Sequence, residues 1–94
     1  MKTLDYLAHA VQRVLRGEKD GIYHIWYRWM SDIDRLKFDG FLVTHDDPLA
    51  YEAGTPFSRF QQKVNRMVEL EKERRDKQPP MADSLDPLDG EDQD

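Results

Sequence analysis

The chain has 94 residues, a formal net charge of −5 and no cysteine. That length allows one domain with a small core, and the missing thiols exclude a disulfide staple and a thiolate metal site. No stretch approaches the roughly 18 apolar residues of a membrane span. Charged residues interrupt the opening MKTLDYLAHAVQRVL, which does not read as a secretory leader. A cytoplasmic protein with no membrane association is expected.

The charge is distributed unevenly. Residues 1–77 hold all 14 Lys and Arg and 13 of the 19 Asp and Glu, a net of +1; residues 78–94 hold the other six acids and no base. The expected organisation is a helical domain over 1–77 and a disordered acidic tail over 78–94. The tail has too little apolar area to offset its ordering entropy.

In the first helix Leu4, Leu7, Ala8, Val11, Val14 and Leu15 recur at helical spacing, with Tyr6 off that stripe. Thr3 is the predicted cap and Gly17 the predicted stop. GEKDG, residues 17–21, is short enough to send the next helix back antiparallel.

The second helix is predicted from Gly21 to about Lys37. Stepping 100° per residue gathers Ile22, Ile25, Trp26, Trp29, Met30, Ile33 and Leu36 on one core-facing arc. Tyr23, Tyr27, Asp34 and Phe38 fall on the flank beside it. Asp39-Gly40 reads as a turn, and FLVT, residues 41–44, as a short apolar run with no strand to pair with. Asp46 or Asp47 is placed to cap a single helical turn with Pro48 at its first position.

Thr55-Pro56 opens a third helix that runs to about Lys77. Phe57, Phe60, Val64, Met67 and Val68 form its buried stripe. Beyond Leu70 nothing apolar remains, so its last turns are expected in solvent, supported by Glu71 and Arg75 at i,i+4. The fold class that follows is all-α: a small three-helix domain, an antiparallel helical hairpin plus a longer third helix.

Chemistry-bearing patterns are few. His9, His24 and His45 lie on three different segments, without the close spacing of metal ligands. His45-Asp46-Asp47 is the one polar cluster, and capping of the turn at Pro48 explains it more simply. There is no nucleophile elbow and no glycine-rich phosphate loop. No enzyme activity, catalytic residue, cofactor or metal is therefore expected.

Arg59, Lys63, Arg66 and Arg74 fall within about a quarter of the third helix's circumference, a row able to meet phosphates. The near-neutral body and the acidic tail weigh against nucleic acid as a partner, although the tail itself offers nucleic-acid mimicry as an alternative.

The aromatic flank of the second helix carries the functional expectation, because tyrosine and tryptophan dominate binding hot spots. Tyr23, Tyr27, Asp34 and Phe38 are the predicted partner-binding residues, with Arg59, Lys63 and Arg66 as an electrostatic rim that sets orientation and on-rate. The competing expectation is that residues 41–53 wrap over the tyrosines as internal cover. Small size favours a homodimer. The expected function is a protein-binding module, an inhibitor or adaptor acting by steric occlusion. At the level of class alone, small cysteine-free helical proteins with acidic tails are common among phage-encoded inhibitors of host enzymes and defence systems, and among dedicated chaperones.

Overall fold

The structure, a computed structural model, describes residues 2–77. The tail predicted over 78–94 lies outside the described residues. Helix α1 spans Thr3–Leu15. Thr3 is its first helical residue and not its cap. Asp5 reaches back instead, its carboxylate accepting the Lys2 backbone N–H at 3.2 Å. An acid in the first turn also meets the positive end of the helix dipole.

The buried residues of α1 are Tyr6, Leu7, Ala10 and Val11, so its inward stripe is rotated toward Tyr6. The cause is polar. The Tyr6 hydroxyl donates to the Asp34 carboxylate at 2.9 Å, and a tyrosine with its polar tip partnered can bury its ring. Gly17, at φ +83°, supplies the left-handed stop.

Helix α2 covers Gly21–His24 and continues as one π turn over Ile25–Trp29. Gly21 is where it crosses α1: a Cβ there would lie 2.6 Å from the Arg13 Cβ. The predicted second helix then breaks. Met30 is extended at φ −85°, ψ 132°. Ser31 starts a new helix, α3, over Asp32–Thr44. Its hydroxyl accepts from the Asp34 N–H at 3.2 Å, while the Asp34 carboxylate accepts from the Ser31 N–H at 3.1 Å. This is a reciprocal capping box, which satisfies two amides that a helix start otherwise leaves bare.

The break resets which residues face inward. One continuous helix would bury Trp29, Ile33 and Leu36; they are 39, 65 and 71% exposed. Phe38 and Leu42 are completely buried in their place. The placement of Phe38 on an exposed flank is therefore corrected: it is a core residue, because α3 has its own phase. Nor do Asp39 and Gly40 form a turn. They and the FLVT run lie inside α3. Asp46 ends that helix in the left-handed region at φ 51°, and the Asp47 N–H returns to the Leu42 carbonyl at 2.9 Å. Aspartate tolerates that conformation better than most side chains.

Asp47 caps the 3₁₀ turn Pro48–Tyr51, accepting the Leu49 N–H at 3.0 Å. Thr55 caps helix α4, Pro56–Lys77, its hydroxyl accepting the Ser58 N–H at 3.0 Å. Both starts agree with the sequence reading. So does the buried stripe of α4: Phe60, Val64 and Val68 are buried, with Phe57 and Met67 against them. From Leu70 onward its turns are exposed, and Glu71 pairs with Arg74 and Arg75.

The core closes around three rings. Trp26 lies 4.9 Å from Phe60 and 5.9 Å from Phe38, and Phe38 lies 5.2 Å from Phe60, centroid to centroid. They come from the π turn that continues α2, from α3 and from α4, so one aromatic cluster ties three segments while α1 packs across α2 and α4. The fold is all-α, with no strand among the described residues. No helix among them is long and apolar enough to cross a membrane.

The Tyr6–Asp34 bond makes stability depend on pH at both ends. The hydrogen bond to Asp34, then burial, hold the Tyr6 phenol above its ordinary pKa of 10.0. The Ser31 N–H, then the Tyr6 hydroxyl, hold the Asp34 carboxyl below its ordinary 3.8. The raised phenol contributes stability that is complete below pH 10.0 and is lost as pH rises through the folded value. The depressed carboxyl contributes stability that is complete above pH 3.8 and is lost as pH falls through its folded value. Tyr6→Phe is expected to flatten the alkaline limb of a Tm-against-pH curve and reduce the acid limb. Unchanged limbs would show that the bond carries no linkage.

Candidate docking groove

The break at Met30 has a consequence for the surface. The π turn, the start of α3 and the start of α4 diverge, and a groove of about 460 Å³ opens between them. Trp26 and Tyr27 come from the π turn, Leu36 from α3 and Phe57 from α4. Asp32, Arg35 and Asp39 supply the charges at its edge, and each acid is paired with an arginine, Asp32 with Arg35 and Asp39 with Arg59.

Arg35 holds the angle between the two segments. Its Nε donates to the Trp26 carbonyl at 2.8 Å, one of the carbonyls at the end of the broken helix, and its second arm donates to Asp32 at 2.7 Å. The guanidinium carbon stands 5.9 Å from the Trp26 ring centre and 5.7 Å from that of Tyr27. A planar cation suits this position, because it stacks on rings while its edge donates.

Of the predicted partner-binding residues, Tyr23 and Tyr27 remain at the surface, 56 and 49% exposed. Residues 41–53 do not cover them. The Pro48–Tyr51 turn packs on α3 and α4, and the two tyrosines stack on each other at 4.5 Å and against Phe57 at 6.2 and 5.3 Å. Asp34 is committed to the capping box and to Tyr6, and Phe38 is in the core.

The basic rim is largely occupied by its own chain. Arg59 donates to the Gly54 carbonyl at 3.1 Å and sits 3.5 Å from Asp39. That Asp39 oxygen is buried without a hydrogen bond, so the contact is an ion pair only. Lys63 donates to Asp47 at 2.6 Å. Burial pushes the Asp47 carboxyl up, but the Lys63 ammonium and the Leu49 N–H outweigh it and hold the group below the usual carboxylate range. Arg66 is exposed, beside a second groove of about 530 Å³ with Leu49 and Leu70. Two of the three rim residues thus neutralise acids of the domain, which weakens the case for a phosphate-binding row.

His9 and His24 do meet, but around an indole. Their rings lie 5.4 and 6.1 Å from Trp29, with the Arg13 guanidinium 5.0 Å above it. His45 lies on the Phe41 ring, its Nδ1 2.9 Å from the Phe41 carbonyl oxygen. No group of three His, Cys, Asp or Glu among the described residues is placed to hold a metal ion.

Sequence reasoning missed Leu36, Phe57 and Arg35 as surface residues of one site. A signal for them was present: Ser31-Asp32-Ile33-Asp34 has the spacing of a capping box, which starts a helix where a continuous one was expected. Fold and groove together define a small all-α domain with an open apolar groove where three helices meet. Comparisons with protein-family models, with curated proteins and with solved structures return no match.

Proposed function

We propose that the chain is a protein-binding module, an inhibitor or adaptor that works by steric occlusion through the groove between the π turn, α3 and α4. The observation that supports this most directly is the apolar surface left open there. Tyr27, Leu36 and Phe57 line it, and Tyr27 and Leu36 are 49 and 71% exposed. Contiguous apolar surface rimmed by charge is typical of interaction sites. The partner segment it fits has a leucine-sized or aromatic side chain to fill the groove and a basic residue beside it to meet Asp32, which is 96% exposed and gives one oxygen to Arg35, whereas Asp39 is already paired with Arg59. The absence of cysteine supports a cytoplasmic setting as part of this reading.

The test uses synthetic peptides of about ten residues, leucine- or tryptophan-centred, flanked either by lysines or by glutamates, titrated into isotope-labelled full chain. The basic-flanked set is expected to shift the resonances of Tyr27, Leu36 and Phe57, with Tyr27→Ala plus Phe57→Ala weakening binding about tenfold or more. Tyr27→Ala alone, at a half-exposed ring, is the control for folding, because Phe57 packs against the core; circular dichroism of both variants separates lost binding from lost structure. Equal binding of both sets, or shifts confined to other faces, would remove the basis for this groove as the docking site.

A further inference from the structure

The outward face of α3 carries Ile33, Leu36, Gly40 and Val43, at i, i+3, i+7 and i+10. The three large side chains are 65, 71 and 55% exposed. Gly40 stands between them, exposed, and a Cβ placed on it meets nothing within 4 Å. Nothing among the described residues requires glycine there. The backbone is helical, and glycine in a helix interior is weaker than alanine. A helix that keeps bare backbone in the middle of an apolar stripe is shaped for close approach by another helix.

The spacing also selects the kind of helix. Ile33 and Gly40 occupy successive a positions of a heptad, and Leu36 and Val43 the d positions. Among parallel coils, a β-branched residue at a with leucine at d, as at Ile33 and Leu36, favours two strands. The flanking charges agree. Asp32 is at g and Lys37 at e, and in a parallel pair each g side chain faces the e side chain five residues on in the other helix. Asp32 of one copy then meets Lys37 of the second copy, twice by symmetry. An antiparallel pair would place g against g and forgo both Asp32–Lys37 contacts. Asp32 uses one oxygen for Arg35 of its own chain, and its side chain is 96% exposed.

We propose that α3 pairs in parallel with α3 of a second copy of this chain, Gly40 against Gly40, forming a weak two-fold dimer. The inference goes beyond the groove reading and rests on different side chains, apart from Leu36 and Asp32, which belong to both. Two heptads bury little, so the dissociation constant lies above about 1 μM, in the range of small transient interfaces.

Sedimentation of the full chain from about 10 μM to about 1 mM tests it. A monomer–dimer equilibrium is expected across that range. Gly40→Ala has opposite effects on the two states. It raises the Tm of the dilute monomer by about 4 °C, because the helix gains and nothing clashes, and it weakens dimerisation about tenfold or more. Lys37→Asp alone abolishes the dimer, and Asp32→Lys with Lys37→Asp restores it. Tyr27→Ala plus Phe57→Ala leaves it unchanged, which separates this inference from the groove reading. A chain that stays monomeric at the highest concentration overturns the proposal. So does a dimer indifferent to Gly40→Ala, or one that Lys37→Asp strengthens.

Discussion

Phe38→Ala is expected to cost about 3–5 kcal/mol and to lower the urea midpoint steeply. The side chain is completely buried and touches the rings of both Trp26 and Phe60, so truncation opens a cavity at the point where α2, α3 and α4 meet. A domain of this length has a total stability of roughly 5–10 kcal/mol, so one substitution removes about a third of it or more. Tyr27→Ala makes the contrast. Its ring is half exposed and lies outside the closed core, and its loss should cost about 1 kcal/mol or less. Urea unfolding followed by circular dichroism distinguishes the two. A Phe38→Ala protein that stayed folded but lost a partner would return Phe38 to the binding surface, against its burial.

How far the sequence could be read depended on whether a signal was local. The caps at Asp47 and Thr55 were legible because each is a side chain acting on an amide two or three residues away. The α4 stripe was legible because one uninterrupted helix keeps one phase from Phe57 to Val68. The middle of the chain was not, for the converse reason. Angular placement at 100° per residue carries across a segment only while the helix is unbroken, and the extended Met30 resets it. Phe38 moved from flank to core, and Ile33 and Leu36 from core to surface, for that reason, while Asp39-Gly40, read as a turn from its residue types, lies inside the new helix.

Tyr6 was misplaced for a different reason. Its burial depends on a carboxylate 28 positions away, which no window of periodicity contains. The tyrosine pair stayed at the surface because both residues precede Met30; Trp29, at the end of the π turn, did not keep its predicted place and is 39% exposed. The groove itself was invisible. Three of its apolar side chains, Tyr27, Leu36 and Phe57, are far apart in the chain and converge only once the helix is broken at the correct residue.

Arg35→Ala is expected to cost about 2–3 kcal/mol, more than the loss of any other charged side chain around the groove. One guanidinium does three things there. It satisfies the Trp26 carbonyl that the ending helix leaves behind, joins Asp32 in the first turn of α3, and stacks near Trp26 and Tyr27. Its side chain is 24% exposed, so the carbonyl bond is partly shielded and is worth more than a surface contact. Removing it strands a part-buried carbonyl and frees the angle between the π turn and α3. Arg35→Lys separates these roles, because an ammonium can hold Asp32 or Trp26 but has no planar face or second arm to span both. Urea midpoints should therefore fall in the order wild type, Arg35→Lys, Arg35→Ala. The peptide titration should follow the same order, with the shifts at Leu36 and Phe57 weakening as the groove walls lose their fixed separation. A lysine variant equal to wild type in both measurements would mean that charge alone, without the fork and the stacking, is enough to hold the break open.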